Sequence, residues 1–356
     1  MKSFTEIFGG EPTAAASAPG RVNLLGEHTD YNAGYVLPTA IVLRTRVALR
    51  AAADEVFTVY SSNLDQTARF TPGAPPQPQF SRYLYGCVEV ARGYGIAVPP
   101  LDIHVESEVP IGVGLSSSAA IEVATLRALR KLLRIELDDV QLARLAQKAE
   151  IEYAGVNVGI LDHMASSLLD DASMLFLDTR SLHYSLRPLP RHTEVLVVDS
   201  GVSRSLASSA YNERRAECEE AARLLGVTAL RDVEDPRALD ILPQALRRRA
   251  RHVVTENARV LDALDATADT FGQLMSASHL SLSQDFEVST AELDALANLL
   301  QEDAHIYGAK LTGAGFGGAC VALCKQGEAA EAGRRVVQHY NSSGHQGRVL
   351  IPAAAV

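Results

Sequence analysis

Pro19-Gly-Arg-Val-Asn-Leu-Leu-Gly-Glu-His-Thr-Asp-Tyr-Asn-Ala-Gly34 is the most informative stretch of this chain, because it gathers charged and polar groups between turn-forming residues. Glu27, His28 and Asp30 cannot all be buried without partners, since an unpaired buried charge is strongly unfavourable. The stretch is therefore an exposed loop with a salt bridge, a metal site or a sugar site. Adjacent side chains point in different directions, which weakens the metal interpretation. Carboxylates and a histidine can share neighbouring sugar hydroxyls as acceptors and donors.

Strand-like segments surround this stretch, and helix-like segments with apolar stripes follow it. In the first half we predict strands at Arg21–Leu25, Tyr35–Ala40, Arg44–Ala51, Val56–Ser61 and Leu101–Ser107, and helices at Ala119–Leu133 and Leu137–Tyr153. In the second half we predict strands at Glu194–Asp199, Ala309–Thr312, Gly318–Leu323 and Arg348–Ile351, and helices at Leu206–Leu225, Pro236–Leu261, Ala266–Leu280, Thr290–Glu302 and Glu328–Tyr340. This mixed order favours an α+β fold over a doubly wound sheet.

The length of the chain indicates two domains of ordinary size. The chain has 356 residues, of which 47% are hydrophobic, and one continuous core of that size would be unusual. The proline-bearing run Arg187-Pro-Leu-Pro-Arg191 precedes an apolar strand and marks the predicted boundary. We therefore predict domains at residues 1–190 and 191–356.

The charge balance argues against nucleic acid and membranes as partners. The chain has 33 basic and 43 acidic residues, a net charge of −10, so it lacks a broad positive field. We find no apolar run as long as a signal peptide or a membrane span. The four cysteines are unevenly spaced and form no CxxC pair, which is typical of a reducing compartment. We therefore expect a cytoplasmic protein.

A glycine- and serine-rich loop, Val109-Pro-Ile-Gly-Val-Gly-Leu-Ser-Ser-Ser-Ala119, lies between a predicted strand and a predicted helix. Its glycines allow a ligand to approach the backbone, and a helix start presents unpaired N–H groups to an anion. The loop is not a GxxxxGK[ST] P-loop, because no lysine follows. It is either a phosphate-binding loop or a plain loop whose serines cap the helix, and its position favours phosphate.

Three motifs together resemble those of the GHMP kinase superfamily, and within it the galactokinase family. Gly20–Asn32 is close to the galactokinase signature, Pro110–Ala119 resembles the ATP loop, and Leu311–Ala319 resembles a late glycine-rich turn. Shorter matches occur at Ala149-Glu150, Gly159–His163 and Ser208–Cys218, so the resemblance covers essentially the whole chain. It implies an α+β fold with a ribosomal-protein-S5-like N-terminal domain, a ferredoxin-like C-terminal domain and an active site in the cleft between them.

The resemblance also implies a reaction, the transfer of a phosphoryl group from ATP to the anomeric C1 hydroxyl of galactose with Mg²⁺ as cofactor. Asp162 would accept or orient the hydroxyl proton, and Arg21 would keep Asp162 ionised and offset phosphoryl charge. The implied sugar-binding residues are Glu27, His28, Asp30, Gly159 and Tyr211, with Asn23 supporting the loop. The implied ATP-binding residues are Gly112, Gly114, Leu115, Ser116, Ser117, Ser118 and Ala119, and the implied Mg²⁺ ligands are Ser117, Ser118 and Glu150. We expect a monomer or a weak dimer.

Other interpretations of single residues stay open beside these roles. Asp162 precedes a helical run and could be its N-cap, and Glu150 could be an ordinary exposed helix carboxylate. Tyr83 and Tyr85 could lie near an adenine, although core aromatics fit the pattern better.

Three positions depart from the family pattern: Ala33, where glycine is common, Ile151, where histidine is usual, and His163, where glutamine is usual. They remove no group that the chemistry requires, but they bear on which sugar is bound. N-acetylgalactosamine, arabinose and galacturonate are alternatives to galactose. A galactose sensor without catalytic activity is a third hypothesis, and the intact loop together with Arg21 and Asp162 argues against it.

Overall fold

The computed structural model describes residues 2–169, 173–203 and 207–352. In that part of the chain the strands are β1 (Ala14–Leu25), β2 (Tyr35–Ala51), β3 (Phe57–Ser61), β4 (Gln66–Phe70), β5 (Leu101–Ser107), β6 (Ser173–Asp178), β7 (Tyr184–Pro188), β8 (Thr193–Asp199), β9 (Ile306–Thr312), β10 (Ala319–Lys325) and β11 (Arg348–Ile351). The helices are α1 (Phe4–Phe8), α2 (Gln79–Gly93), α3 (Ser117–Leu133), α4 (Asp139–Ala149), α5 (Leu161–Leu168), α6 (Ala207–Leu225), α7 (Gln244–Ala263), α8 (Ala268–Gln284), α9 (Ala291–Glu302) and α10 (Ala329–Ser342). None of these described helices is both long and apolar enough to cross a membrane.

The chain forms two compact units, each built from separate stretches of sequence. Unit 1 comprises Met1–Arg21, Ala40–Pro110 and Ser116–Asp170, and unit 2 comprises Val22–Thr39, Ile111–Leu115 and Asp171–Val356. The sequence division at residues 190 and 191 stays a prediction.

Unit 1 contains a mixed sheet covered by helices. Its strand order is β4-β3-β5-β2, with β3 parallel to β5 and the other two pairings antiparallel. Phe57 and Phe70 face each other across β3 and β4 with stacked rings 4.8 Å apart, a pairing that stabilises a sheet. Gly86 brings α2 against the end of α4, because a Cβ there would lie 2.9 Å from the Ala149 carbonyl oxygen. The backbone before Glu150 is thereby fixed by direct helix packing.

Unit 2 contains an antiparallel sheet in the order β11-β8-β10-β9. Helices α6 to α9 connect β8 to β9, and α10 connects β10 to β11. This is the strand order of a ferredoxin-like fold, as the resemblance implied. The α8 and β9 backbones touch, since a Cβ at Gly308 would lie 1.9 Å from the Gly272 carbonyl oxygen. The first half of β2 pairs with β6, and β6 pairs with β7.

Several predicted elements differ from the structure, and proline and π-helical geometry explain two of the differences. The strands predicted at Tyr35–Ala40 and Arg44–Ala51 form one strand, β2. The helix predicted over Leu137–Tyr153 is α4 followed by a π-helical turn at Glu150–Ala154. The helix predicted over Pro236–Leu261 is a 3₁₀ helix (Pro236–Ile241) and then α7, which starts after Pro243 because proline cannot donate a helical hydrogen bond.

The strand predicted at Arg21–Leu25 is only the end of a longer strand, β1, which begins at Ala14. The other remaining predicted elements are confirmed to within a few residues, and those at Leu101–Ser107 and Arg348–Ile351 match end to end. The predicted start of α6, Leu206, lies outside the described residues. Five elements, α1, α2, β4, β6 and β7, were not predicted from the sequence.

Candidate active site

Asp162 is the centre of a polar arrangement within unit 1. Arg21, on β1, donates from Nε to Asp162 Oδ1 at 2.7 Å, and its Nη2 lies 2.5 Å from the same oxygen. The Ser116 hydroxyl donates to Asp162 Oδ2 at 2.5 Å. Burial alone would raise the pKa of Asp162, but Arg21 and Ser116 outweigh it and lower that pKa below its ordinary value. The carboxylate is therefore held ionised, with 27% of its side chain exposed.

The N-cap interpretation of Asp162 is wrong. Helix α5 begins at Leu161 with Ile160 at the N-cap, so Asp162 lies inside the first turn. Its side chain instead accepts hydrogen bonds from Arg21 and Ser116.

The glycine- and serine-rich loop has the backbone geometry that its glycines predict. Gly112 and Gly114 have φ values of 80° and 88°, and Ser116 has a φ of 58°, all in the region that glycine adopts most readily. Helix α3 begins at Ser117, and Ala120 makes its first helical bond, to the Ser116 carbonyl oxygen at 3.1 Å. The amides of the three preceding helical residues therefore have no acceptor within the helix, which makes the start of α3 suitable for an anion.

Glu122, Glu150 and His163 form a buried cluster that joins α3, the end of α4 and α5. His163 Nε2 lies 2.8 Å from Glu122 Oε2 and 3.1 Å from Glu150 Oε2. Burial opposes a charge on the imidazole, but the two carboxylates outweigh it and raise the pKa of His163 to about 10. Burial, reinforced by Glu150, raises the pKa of Glu122 well above its ordinary value. The interpretation of Glu150 as an exposed carboxylate is therefore wrong.

This cluster is also a group with metal-binding geometry. The ligand atoms of its three residues lie within 4.8 Å of one another. Within residues 2–169, 173–203 and 207–352 no such group is formed by Glu27, His28 and Asp30.

Glu27 is a buried side chain of the first motif, and its partners among the described residues lie in unit 2. Its Oε2 accepts from the Asn23 amide at 2.9 Å and from Lys310 Nζ at 2.6 Å. Its Oε1 accepts from the Gly313 N–H at 3.0 Å. Burial raises the pKa of Glu27 to about 7, although the Lys310 ammonium lowers it. Asn23 supports Glu27 directly, in keeping with its predicted role in the loop.

His28 lies in an aromatic cluster of unit 2. Its Nε2 donates to the Ala314 carbonyl oxygen at 3.2 Å, and its Nδ1 lies 2.9 Å from the Tyr31 hydroxyl. Its ring centroid is 4.7 Å from that of Phe286 and 5.6 Å from that of Tyr211. The structure thus brings together His28 and Tyr211, two residues predicted to bind the sugar, and gives both ring nitrogens of His28 a partner in the chain.

Two further predicted sugar-binding residues are half-buried. Asp30 opens a short 3₁₀ turn (Asp30–Asn32) in unit 2, and its Oδ1 accepts from the Tyr31 N–H at 3.0 Å. Gly159 lies in unit 1, in the loop before α5. Tyr85 is part of the core of unit 1, as the core interpretation predicted.

Sequence reasoning did not assign a role to Lys310 or Glu122. Lys310 is a lone charge in the otherwise uncharged strand Ile306–Thr312, directly before the glycine-rich turn, and that signal could have identified it. Glu122 sits at a position of α3 between apolar residues, where a carboxylate requires a buried partner. Its partner, His163, was noted only as a departure from the family pattern.

Comparison with known proteins identifies the family. Residues 2–51 match the galactokinase galactose-binding signature, residues 82–168 the GHMP kinases N terminal domain and residues 260–342 the GHMP kinases C terminal domain. The galactokinase of Roseiflexus sp. (strain RS-1) is 41% identical over 96% of this chain and 90% of its own length. That of Chloroflexus aggregans (strain MD-66 / DSM 9485) is 42% identical over 90% of this chain and 86% of its own length. The chain belongs to the galactokinase family.

Solved structures agree with membership of the galactokinase family. The crystal structure of Lactococcus lactis galactokinase complexed with galactose matches with a TM-score of 0.91 and 33% identity, covering 97% of this chain and 95% of that one. Methanococcus jannaschii mevalonate kinase matches with a TM-score of 0.68 and 18% identity over 96% of this chain and 98% of its own. The second likeness shows the shared two-domain α+β fold alone, and the galactokinase family membership makes this protein an enzyme.

Proposed function

We propose that the protein is an ATP-dependent kinase that phosphorylates the anomeric C1 hydroxyl of α-D-galactose and releases galactose 1-phosphate and ADP. The observation that carries this proposal is the ionised Asp162 carboxylate held by Arg21 and Ser116. A positioned carboxylate that can take or orient a hydroxyl proton can assist phosphoryl transfer to a sugar hydroxyl.

In the proposed reaction the C1 oxygen attacks the γ-phosphorus of ATP, and the bond from that phosphorus to ADP breaks. Asp162 accepts the hydroxyl proton or orients it, depending on how far the proton has moved in the transition state. Arg21, whose Nε and Nη2 both face Asp162 Oδ1, keeps the carboxylate charged and offsets charge on the transferring group. The chemistry therefore depends mainly on orientation and electrostatic stabilisation.

For the sugar we propose Glu27, His28, Asp30, Gly159 and Tyr211 as the binding residues. Glu27 and Asp30 offer carboxylate oxygens to hydroxyl protons, and Gly159 offers a backbone N–H. Because both ring nitrogens of His28 have partners in the chain, its part in sugar binding includes holding the loop in shape.

For ATP we propose that the loop Gly112–Ala119 binds the phosphates, with the free amides at the start of α3 as donors. Mg²⁺, when bound, would neutralise phosphate charge and bring its oxygens into position. The donor set fits this ion, since carboxylates and hydroxyls are the ligands it prefers. Glu150 with Ser117 or Ser118 would hold it, and Glu122 Oε1, a buried oxygen without a partner among the described residues, lies in the same cluster. We also propose a cytoplasmic protein that is a monomer or a weak dimer.

The direct test is an ADP-release assay with Mg²⁺-ATP over a panel of sugars. Galactose should give the highest kcat/KM, ahead of N-acetylgalactosamine, arabinose and galacturonate. Turnover of another panel sugar without turnover of galactose would reject galactose as the substrate. Galactose binding without any ADP release would indicate a sensor.

A second test concerns Asp162. Asp162→Asn removes the proton acceptor while conserving shape, so kcat should fall by about two to four orders of magnitude. Asp269→Asn is the matched control, because Asp269 is exposed in the first turn of α8, and its kcat should equal that of the wild type. A folded Asp162→Asn variant with near-normal turnover would remove Asp162 from the mechanism.

A further inference from the structure

Lys310 is a fully buried lysine, and its polar contacts among the described residues lie within unit 2. Its Nζ lies 2.6 Å from Glu27 Oε2 and 2.9 Å from the Leu311 carbonyl oxygen, with the Asn23 carbonyl oxygen at 3.5 Å. An ammonium group has three protons, and these three acceptors engage them. The hydrogen-bonding capacity of Lys310 is therefore used within the chain, and the residue is not a phosphate ligand.

The hydrogen bonds of Glu27 show what this lysine does. A carboxylate offers about four acceptor positions. Lys310 and Asn23 occupy the two at Oε2, and Gly313 occupies one at Oε1. In the described part of the chain Gly313 is the only donor to Oε1, so one acceptor position is left there. That position can take a proton only from a hydroxyl or an N–H group.

We propose that Lys310 is a positioning residue for sugar binding, which acts by holding the Glu27 carboxylate in one orientation as an acceptor for a substrate hydroxyl. This inference rests on the proposed function, because it takes Glu27 as a sugar contact. The end of β9 then has a role in sugar binding, because two neighbouring residues there contact Glu27. Lys310 reaches it from the strand, and Gly313 reaches it from the turn that follows the strand.

Electrostatics around Glu27 support the same conclusion. The charged and titratable groups described around Glu27 and Lys310 lie on several elements. They include Lys310 itself on β9, Glu256 and His252 on α7 with Arg259 beside Glu256, His279 on α8 and Cys320 on β10. Burial and Glu256 raise the pKa of Glu27, and Lys310 opposes both. The His252 imidazole is held neutral, since burial lowers its pKa to about 4. Without Lys310, no described cation is paired with the Glu27 carboxylate, so the carboxyl group would take up a proton at higher pH.

The experiment compares Lys310→Met, Glu27→Gln and the double variant with the wild type, measuring KM for galactose and kcat across pH at saturating ATP. Lys310→Met should raise KM by roughly 10- to 100-fold near neutral pH, the range expected when a charge-assisted hydrogen bond is lost, with a smaller change in kcat. This rise in KM should become smaller as pH increases, because the Glu27 carboxyl group of the variant then regains its charge. Lys310→Arg, which keeps a cation, should recover part of the affinity.

The double variant separates positioning from a merely structural effect. If Lys310 acts through Glu27, adding Lys310→Met to Glu27→Gln causes no further rise in KM. If it multiplies KM by the same factor in both backgrounds, Lys310 acts independently of Glu27 and the inference is overturned. For variants whose turnover is too low to give a KM, calorimetry measures galactose binding directly. Circular dichroism first shows that these samples have the native fold.

Lys325→Met is the matched control, because Lys325 is an exposed lysine at the end of the adjacent strand β10, and its KM should be unchanged. The wild-type protein tests the proposed function in the same assay. Absent galactose turnover in the wild type contradicts the proposed function. Normal wild-type turnover with an unchanged galactose KM in a folded Lys310→Met contradicts only the inference.

Discussion

At the scale of single residues, the chemistry of Asp162 depends on its two donors. Burial by itself would favour the protonated carboxyl group, and Arg21 and Ser116 reverse that preference. The pair Arg21 and Asp162 is separated by 141 positions. Sequence spacing could not have brought them together, and the prediction came from resemblance to a family. The structure adds Ser116 as the donor to the second carboxylate oxygen.

Replacement of Arg21 by methionine should change the pH dependence of the reaction. The guanidinium is the largest of the influences that oppose burial, so its removal should raise the pKa of Asp162. As the solution is acidified, the variant should therefore lose activity at a higher pH than the wild type does. Its kcat should also be lower, by a factor of roughly 10² to 10³. The measurement is the kcat profile against pH, with galactose and ATP saturating.

Arg21→Lys is the matched variant for that profile. The lysine side chain keeps a cation but cannot present two N–H groups side by side to one oxygen. The pH at which acid abolishes activity, the acid limb of the profile, should therefore stay near its wild-type position while kcat falls. An acid limb that does not move in Arg21→Met would show that Arg21 does not set the charge of Asp162.

At the scale of elements, two close contacts determine where site residues lie. The Glu122, Glu150 and His163 cluster ties α3, α4 and α5 together, and the contact of Gly272 with Gly308 ties α8 to β9. Helical periodicity predicted α3 and the second-half helices because each buries one apolar face. It missed α2, whose interior holds Gly86 and two β-branched residues, Val88 and Val90, which lower helix propensity. The packing that requires Gly86 is visible only in the fold.

His163→Leu should destabilise the protein strongly. The substitution leaves the Glu122 and Glu150 carboxylates buried without their shared donor, and breaking such a pairing costs about 3–5 kcal/mol. The measurement is the apparent free energy of unfolding in urea by circular dichroism. His183→Leu, at an exposed histidine, should have little effect, and adding Glu122→Gln should restore part of the loss. A change below about 1 kcal/mol would show that His163 is not needed to hold the two carboxylates.

Gly308→Ala should destabilise unit 2 and weaken galactose binding together. The added Cβ would lie 1.9 Å from the Gly272 carbonyl oxygen, so β9 must move away from α8 at a cost of about 3 kcal/mol or more. Because β9 carries Lys310 and leads to Gly313, KM for galactose should rise as well. Thermal unfolding and steady-state kinetics measure the two effects.

Gly93→Ala provides the matched control for this substitution. Gly93 ends α2 and has nothing within 4 Å of an added Cβ, so alanine should be neutral or stabilising by up to about 1 kcal/mol. Equal behaviour of Gly308→Ala and Gly93→Ala would contradict the close contact between α8 and β9.

At the scale of the whole molecule, the residues proposed for chemistry and for the sugar belong mostly to different compact units. Arg21, Ser116 and Asp162 are in unit 1, whereas Glu27 and its partners are in unit 2. The mixed order of elements along the sequence predicts the α+β class, but it does not predict that each unit is assembled from separate stretches of chain. Glu27 and Gly313 are 286 positions apart, and which distant residues meet depends on the complete set of tertiary contacts, which local patterns do not contain.

This separation predicts that sugar binding and catalysis can be disabled independently. A ligand that binds only the folded protein stabilises it by RT ln(1 + [L]/Kd), about 2.7 kcal/mol at a concentration of 100 Kd. Galactose should therefore raise the thermal midpoint of the wild type and, by a similar amount, that of Asp162→Asn, which conserves the shape of the site. Glu27→Gln should lose most of the shift at the same galactose concentration, because an amide presents an N–H group in place of one acceptor oxygen. If Asp162→Asn is folded and loses the shift while Glu27→Gln keeps it, Glu27 is not the sugar-binding carboxylate and the roles assigned to the two residues are wrong.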